Sequence, residues 1–186
     1  MKIVEVTIKG ISPLLMNRPD LLDISDKAKE KLAGLDLSNQ QFEQKQYRNV
    51  DGKLYIPETH LKSALISGGK SIKVKGKGKA TYSKILGYAA VVEPAEILHK
   101  KTKLEKFIVL AVNPNTKGRN ALTRPMLREW EADFRVEYED DEIPEEVLKL
   151  ALDNAGKRVG IGDWRPEKKG VYGRFIVTRF EEGGSE

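Results

Sequence analysis

Strict alternation of apolar and charged residues over positions 130–138 constrains the fold more than any other feature of this chain. The apolar positions are Trp130, Ala132, Phe134, Val136 and Tyr138. Side chains of a strand alternate between its two faces, so this spacing predicts a strand with one apolar and one charged face. One buried and one solvated face is typical of an antiparallel sheet.

The opening residues repeat this alternation, and a helix is predicted after a central proline. The segment IVEVTIKG predicts a strand at about residues 2–9. Pro57 lacks an N–H group and therefore suits the first turn of a helix. Leu61, Ala64 and Leu65 follow at the spacing of one helical face, which predicts the buried side of that helix.

A second helix and a last strand complete the pattern. In IPEEVLKLALDNAG, Pro144 and two glutamates mark a helix start and Gly156 marks its end. The apolar segments at 107–112 and 173–181 predict further strands. Two β-α-β halves with alternating faces predict an α+β fold with a ferredoxin-like core, in which an antiparallel sheet packs against two helices.

The length of 186 residues predicts a single domain that spans residues 1–186. Two stretches do not fit the β-α-β pattern, and we predict them to be insertions at about 17–53 and 70–106. The second insertion carries a basic arm. An α+β sandwich of another topology is the alternative.

Composition narrows the classes of function. The chain has no cysteine and two histidines, which excludes disulfides, thiolate metal sites and a cysteine nucleophile and disfavours a histidine-rich zinc site. It has no run of about 18 apolar residues and no signal-like start, so we predict a cytoplasmic protein. The net charge of +5 and pI of about 9.2 favour a polyanionic partner. High lysine and glutamate content is typical of thermophile proteins.

Residues 158–174, here named the glycine loop, combine glycine, basic and aromatic residues. A dinucleotide fingerprint is excluded, because here the helix comes before the loop and the strand after it. Two interpretations stay open. The glycines meet the needs of tight turns, or the loop clamps single-stranded nucleic acid, with backbone N–H groups near phosphates and aromatic rings stacked on bases.

Residues 70–79, here named the lysine segment, carry five lysines and predict a flexible loop or an extended arm. Basic residues cluster over 70–128 and 157–174, and acids over 129–153, which favours one positive face. We predict that this face binds RNA or single-stranded DNA. The predicted contact residues are Lys70, Lys73, Lys75, Lys77, Lys79, Arg119, Arg124, Arg158, Gly160, Gly162, Trp164, Arg165, Lys168, Lys169, Tyr172 and Arg174.

Two segments resemble the RAMP superfamily, the ferredoxin-like RNA-binding proteins of CRISPR systems. VGIGDWRPEKKGVYGRFIV resembles the glycine-rich loop and last strand of that family, and YIPETHLKSAL resembles the start of its first helix. Glu58 and Thr59 depart from the family, which usually has Gly-Ser type residues there. The resemblance implies RNA binding and self-association along the strand.

Over most of its length the chain also resembles a family of phage and prophage proteins that carries no established activity. The shared segments are Gly10 with Pro13 to Met16, Tyr55 to Pro57, Thr123 to Pro125, Val159 to Pro166, and Gly173 to Phe175. This resemblance implies a phage-encoded protein in the cytoplasm of a host cell, and one alternative function is therefore binding to a protein partner.

A second alternative function is enzymatic. Some RAMP endoribonucleases use a histidine in their first helix as general acid-base, so the resemblance makes His60 a candidate for a metal-independent endoribonuclease. An ordinary exposed or packed histidine is the favoured interpretation, and His99 is a weaker candidate. The acidic residues at 137–146 lack the spacing of a calcium-binding loop. We therefore predict no metal and no cofactor.

Overall fold

The computed structural model describes residues 1–19, 35–112 and 117–183. In chain order the strands are β1 (Lys2–Gly10), β2 (Leu14–Leu15), β3 (Tyr55–Pro57), β4 (Ala90–Glu93), β5 (Glu96–Leu98), β6 (Leu104–Val112), β7 (Arg119–Leu127), β8 (Glu131–Tyr138) and β9 (Phe175–Glu182). The helices of the described residues are α1 (Leu35–Gln44), α2 (Glu58–Gly68), α3 (Tyr82–Ala89) and α4 (Glu145–Asn154).

Four strands form the main sheet in the order β4-β8-β1-β9, and every neighbouring pair is antiparallel. Taken in chain order with the helices between them, the elements β1, α2, β4, β8, α4 and β9 give the β-α-β-β-α-β connectivity of a ferredoxin-like fold. The predicted fold class is therefore confirmed. The strands predicted at 2–9 and 130–138 are β1 and β8.

The alternation that predicted these strands also places the core. Val4, Val6 and Ile8 of β1 are at most 1% exposed, and they belong to one apolar cluster with the inward residues of β8. Helices α2 and α4 contribute Leu61 and Leu148 to the same cluster. Both helices therefore cover one face of the main sheet, and the charged residues of β1 and β8 lie on the other.

A second sheet, in the order β2-β7-β6, is built mainly from a long hairpin. Strands β6 and β7 pair over nine positions, from Leu104 opposite Leu127 to Val112 opposite Arg119. Helix α1 packs on β7, where the Gln41 side chain accepts a hydrogen bond from the Thr123 N–H at 2.8 Å. Strands β3 and β5 form a separate two-stranded sheet.

One local expectation was wrong, and another left two alternatives that the structure separates. Gly156 does not end the second helix, because a π-helical turn at Ala155–Val159 continues α4. A Cβ atom added at Gly156 would lie 2.2 Å from the Phe175 carbonyl oxygen, so close packing on β9 explains why this residue is glycine. Of the two forms predicted for the lysine segment, a loop or an extended arm, the structure has a loop, which the hydrogen bond from the Val74 N–H to the Ala80 carbonyl at 2.9 Å closes.

The positions of the insertions stay a prediction. The first, at 17–53, lies partly outside the described residues, and its described part contains α1. The second, at 70–106, contains the whole lysine segment, α3 and β5, and it also includes β4 of the main sheet. Over residues 1–19, 35–112 and 117–183, no helix has both the length and the apolar character needed to cross a bilayer.

Candidate nucleic-acid interface

The glycine loop leaves the end of α4 and folds back against the start of the chain. Gly160, with a φ of 72°, ends the helical path. The Asp163 N–H then donates to the Leu15 carbonyl at 2.9 Å, and the Gly173 N–H donates to the Pro13 carbonyl at 2.8 Å. These two bonds fix the loop to β2 and to Pro13 just before it.

Close backbone contacts explain two glycines of the loop. A Cβ atom added at Gly170 would lie 1.7 Å from the Trp164 carbonyl oxygen. One added at Gly173, where φ is 68°, would lie 1.8 Å from the Ile161 carbonyl oxygen. Any side chain at either position displaces the backbone. Turn and packing requirements therefore account for these glycines, and contacts between loop amides and phosphates stay a prediction.

Four basic side chains lie on the outside of the glycine loop. Arg158, Lys168, Lys169 and Arg174 are exposed, and none of them pairs with a carboxylate of the described residues. The Nε atom of Arg174 donates to the Lys157 carbonyl at 3.3 Å, which holds this guanidinium beside the π-helical turn. All four charges are accessible to a polyanion.

Two other arginines of the predicted interface are bound within the protein. Arg124 donates through Nε to Asp163 at 2.9 Å, and its side chain is 13% exposed. Arg165 donates through Nε and Nη2 to Glu167 at 3.1 and 2.9 Å, and through Nη1 to the Gly162 carbonyl at 3.2 Å. A phosphate must compete with a carboxylate for either guanidinium.

The two aromatic side chains of the glycine loop differ in exposure. Trp164 is 43% exposed, so its ring is accessible for stacking. Tyr172 is half-buried, and its ring centroid lies 5.5 Å from that of Phe107 on β6. This contact ties the loop to the β6–β7 hairpin, and Tyr172 therefore has a packing role.

The lysine segment begins in contact with the glycine loop. Ser67, at the end of α2, donates through its hydroxyl to Glu167 at 2.9 Å, and Lys70 Nζ lies 3.7 Å from the same carboxylate. The other lysines of the segment are exposed and pair with no carboxylate of the described residues. These four are Lys73, Lys75, Lys77 and Lys79.

Basic residues between the two segments contribute less positive surface than their number suggests. Lys100 Nζ lies 2.8 Å from both Glu131 and Asp133, so this lysine neutralises acids on the outward face of β8. The side chain of Arg119 lies outside the described part of the structure. The lysine segment and the glycine loop thus hold part of the accessible positive charge, and exposed lysines such as Lys9, Lys53 and Lys103 lie outside both segments.

A cleft of about 250 Å³ opens between α2 and the glycine loop. Burial, followed by the charge of Arg165, lowers the pKa of His60, so this histidine is neutral at pH 7. Burial alone raises the pKa of Glu167, but hydrogen bonds from Ser67 and Arg165 lower it overall, so this carboxyl is ionised. The lining residues are His60, Ser63, Ala64, Gly160, Ile161, Gly162, Arg165 and Glu167.

A narrow apolar pocket continues from this cleft, and His60 and Gly162 line both. His99 also lines the pocket, is 7% exposed, and has no hydrogen-bond partner at either ring nitrogen among the described residues. Burial lowers the pKa of His99 to about 4. The Tyr47 hydroxyl lies 3.4 Å from His60 Nε2, and the two rings meet edge to face.

Three residues of this site were missed by sequence reasoning. Tyr47 lies in a polar stretch without a clear period, and no spacing relates it to His60. Ser63 and Glu167 are ordinary polar residues until the fold sets α2 against the glycine loop. Over the described ranges, no group of three or more histidine, aspartate or glutamate side chains is placed to hold a metal ion.

A comparison with solved structures shows that the fold occurs elsewhere. One similar chain belongs to a type III-B Cmr-β complex, solved by cryo-electron microscopy bound to cognate target RNA, with a TM-score of 0.58 and 14% identity over 97% of this chain. This chain spans 60% of the length of that neighbour. A crystal structure of Cmr6 from Pyrococcus furiosus has a TM-score of 0.48 and 12% identity, covering 94% of this chain and 97% of the other.

Sequence comparisons gave no further relatives. No protein-family model matches the chain, and no curated protein matches it. At 14% identity, the similarity to the chain of the Cmr-β complex shows a shared fold, and the resemblance to the RAMP superfamily beyond the fold stays a prediction. The resemblance to phage proteins stays a prediction.

Proposed function

We propose that the chain binds single-stranded nucleic acid, RNA in the first place, without catalysing a reaction. The observation that carries the proposal is the contact between the lysine segment and the glycine loop, where Lys70 Nζ lies 3.7 Å from Glu167. Lys168, the residue that follows Glu167, is exposed. Two basic segments that lie far apart in sequence thereby form one positive surface.

In this proposal, the exposed lysines and arginines contact phosphates along the strand. Each neutralised phosphate releases counterions, so affinity falls steeply as the salt concentration rises. The exposed Trp164 ring supplies a stacking surface for one base, and stacking is indifferent to base identity. Binding with little sequence preference follows from these two types of contact.

RNA is preferred to DNA because the Cmr-β complex that holds a similar fold is bound to its target RNA. A hydrogen bond to the 2′-hydroxyl is the contact by which a protein distinguishes RNA from DNA. The resemblance to RAMP proteins also implies that several copies line up along one strand. Titration with RNA and DNA oligonucleotides of equal sequence separates the two ligands.

The test is fluorescence anisotropy with a labelled single-stranded oligonucleotide over a range of salt concentrations. In the test variant, Lys73, Lys75, Lys77 and Lys79 are replaced by glutamine. Each lost phosphate contact lowers the slope of log affinity against log salt by about 0.7, so the slope falls by up to about 3. The matched control replaces four exposed lysines outside both segments, namely Lys9, Lys53, Lys103 and Lys149.

The control carries the same loss of net charge, so it isolates the effect of position. We expect the control to keep most of the salt slope of the unmodified chain. Equal losses in both variants contradict a defined interface and leave only a general charge effect. An unmodified chain that fails to bind at low salt contradicts the proposal and favours the alternative of a protein partner.

One observation supports the endoribonuclease as a second candidate function. His60 lines an open cleft, is neutral at pH 7, and lies 3.4 Å from the Tyr47 hydroxyl. A neutral imidazole beside a hydroxyl is a suitable general base for a 2′-hydroxyl. Cleavage of labelled RNA in EDTA that is lost in His60→Ala, with binding retained, establishes the enzyme.

A further inference from the structure

The cleft between α2 and the glycine loop differs in charge from the surface around it. Arg165 and Glu167 form a pair at 2.9 Å on its wall, which contributes one charge of each sign. His60 is neutral at pH 7 because burial and Arg165 lower its pKa. The lining is therefore neutral overall, whereas Lys168 and Lys169 outside it are exposed and have no carboxylate partner within residues 1–19, 35–112 and 117–183.

This charge balance decides against a phosphate in the cleft. A phosphate must displace Glu167 from Arg165 or lie beside an ionised carboxylate, and either arrangement is unfavourable. An uncharged ligand with both hydrogen-bond donors and acceptors meets no such repulsion. The positive residues that suit phosphates lie outside, on the lysine segment and the outer side of the glycine loop.

The size and walls of the cleft select a flat ligand. Its volume of about 250 Å³ is below the roughly 300–1,000 Å³ of pockets for drug-sized molecules, so it has room for a single ring system. Gly160 and Gly162 contribute bare backbone, and Ala64 contributes a methyl group. These residues leave smooth walls against which a planar ring packs.

Polar atoms of both kinds border the cleft. Arg165 uses three of its five N–H groups on Glu167 and the Gly162 carbonyl, which leaves donors unused. Glu167 is a pure acceptor with capacity beyond its bonds to Ser67 and Arg165. The Ser63 hydroxyl is exposed and serves as donor or acceptor. A nucleobase edge presents the same mixture of donors and acceptors.

We propose that this cleft receives one unpaired nucleobase of the bound strand, turned away from the phosphates that contact the lysine segment. The inference rests on the proposed function, because it assigns the base of a nucleic acid whose backbone lies outside. It adds recognition of one base to a surface that otherwise binds nucleic acid through charge and stacking.

The first test uses uncharged nucleosides, which carry no phosphate and so do not depend on the positive surface. Uridine, cytidine and adenosine are titrated at millimolar concentration while amide chemical shifts are recorded by NMR. We expect shifts at Gly160 and Gly162 and none at Gly76 and Gly78 of the lysine segment. Absence of shifts at the two cleft glycines with all three nucleosides overturns the proposal.

The second test is made in a Trp164→Ala background, which removes the stacking surface, and it compares an oligonucleotide with the same backbone lacking its bases. We expect the intact oligonucleotide to bind about 5- to 150-fold more tightly, from roughly 1–3 kcal/mol for a held base. Ser63→Phe fills the cleft from an exposed helix position and is expected to abolish most of this ratio. Thr59→Phe adds the same ring at an exposed position of α2 that does not line the cleft, and it is expected to keep this ratio. Circular dichroism melting confirms that both variants fold.

The outcomes separate this inference from the proposed function. Salt-dependent binding with equal affinity for both oligonucleotides, or a ratio unchanged by Ser63→Phe, overturns the base site and leaves the backbone interface intact. Nucleoside shifts at the cleft without oligonucleotide binding support the base site and refute the proposed function. If neither nucleosides nor oligonucleotides bind, both proposals are wrong.

Discussion

Burial of His99 makes the stability of the protein depend on pH. The imidazole is 7% exposed, and neither ring nitrogen has a hydrogen-bond partner among the described residues. Protonation places an uncompensated charge in an apolar pocket, which is why burial lowers the pKa of His99 from 6.5 to about 4. We expect His99→Leu to remove this dependence.

The sign and size of the effect follow from proton linkage. The unfolded chain takes up a proton at His99 near pH 6.5 and the folded chain only near pH 4, so stability is present above pH 6.5 and is lost as pH falls toward 4. Between pH 7 and pH 4.5 this amounts to about 2.5 kcal/mol. Leucine has no titrating group, so the free energy of unfolding of the His99→Leu variant falls by that much less over the same pH interval.

The assay is urea unfolding of both proteins at pH 7 and at pH 4.5. Other titrating groups, including His60 in the adjoining cleft, contribute to both proteins and cancel in the difference. Ile97→Val, two residues away and fully buried, is the control, because it lowers stability by about 0.5–1.5 kcal/mol equally at both pH values. Identical pH dependence in the unmodified chain and His99→Leu refutes the argument and shows that the folded state accommodates a charged imidazole.

Two further predictions concern the glycine loop. Gly170→Ala places a Cβ against the Trp164 carbonyl and is expected to lower the free energy of unfolding by about 2–4 kcal/mol, whereas Gly87→Ala, with no atom within 4 Å and a helical position, raises it by up to about 1 kcal/mol. Arg124→Ala and Asp163→Asn each cost about 1–3 kcal/mol, and in urea unfolding the double variant costs less than their sum.

Much of the core can be predicted from the sequence because the spacing of apolar residues within each element is a local pattern. The alternating residues of β1 and β8 and the helical spacing of Leu61, Ala64 and Leu65 are all buried as predicted. In each case one face of an element is apolar and the other polar. Such a pattern specifies both the element and its buried side before any partner is known.

The β6–β7 hairpin was only partly predictable. Strand β6 extends from Leu104, earlier than the predicted start at 107, and the predictions did not include β7. Strand β7 contains Pro125, which cannot donate to a neighbouring strand, and its apolar residues do not alternate. Its pairing with β6 and with Leu14–Leu15 is tertiary, and no local rule reveals it.

The candidate site was less predictable than the core, because its residues meet only in the folded chain. Glu167 joins Ser67 and Lys70 across a long stretch of sequence, and Tyr47 reaches His60 from a segment without a pattern. Sequence reasoning found the charged and glycine-rich segments by composition. It did not find that Arg165 is paired within the protein.

In the two proposals, the glycine loop makes affinity and base preference separable. The bond from the Asp163 N–H to the Leu15 carbonyl fixes the loop, so the loop's exposed charges and its inner wall keep their positions without a ligand. A preorganised surface avoids part of the ordering cost of binding. We therefore expect the removal of lysines to change the salt slope of binding. Filling the cleft at Ser63 is expected to change the preference for an oligonucleotide that carries bases, which salt does not screen. If the two changes act on independent contacts, their effects on binding free energy add; if one groove serves both, they do not.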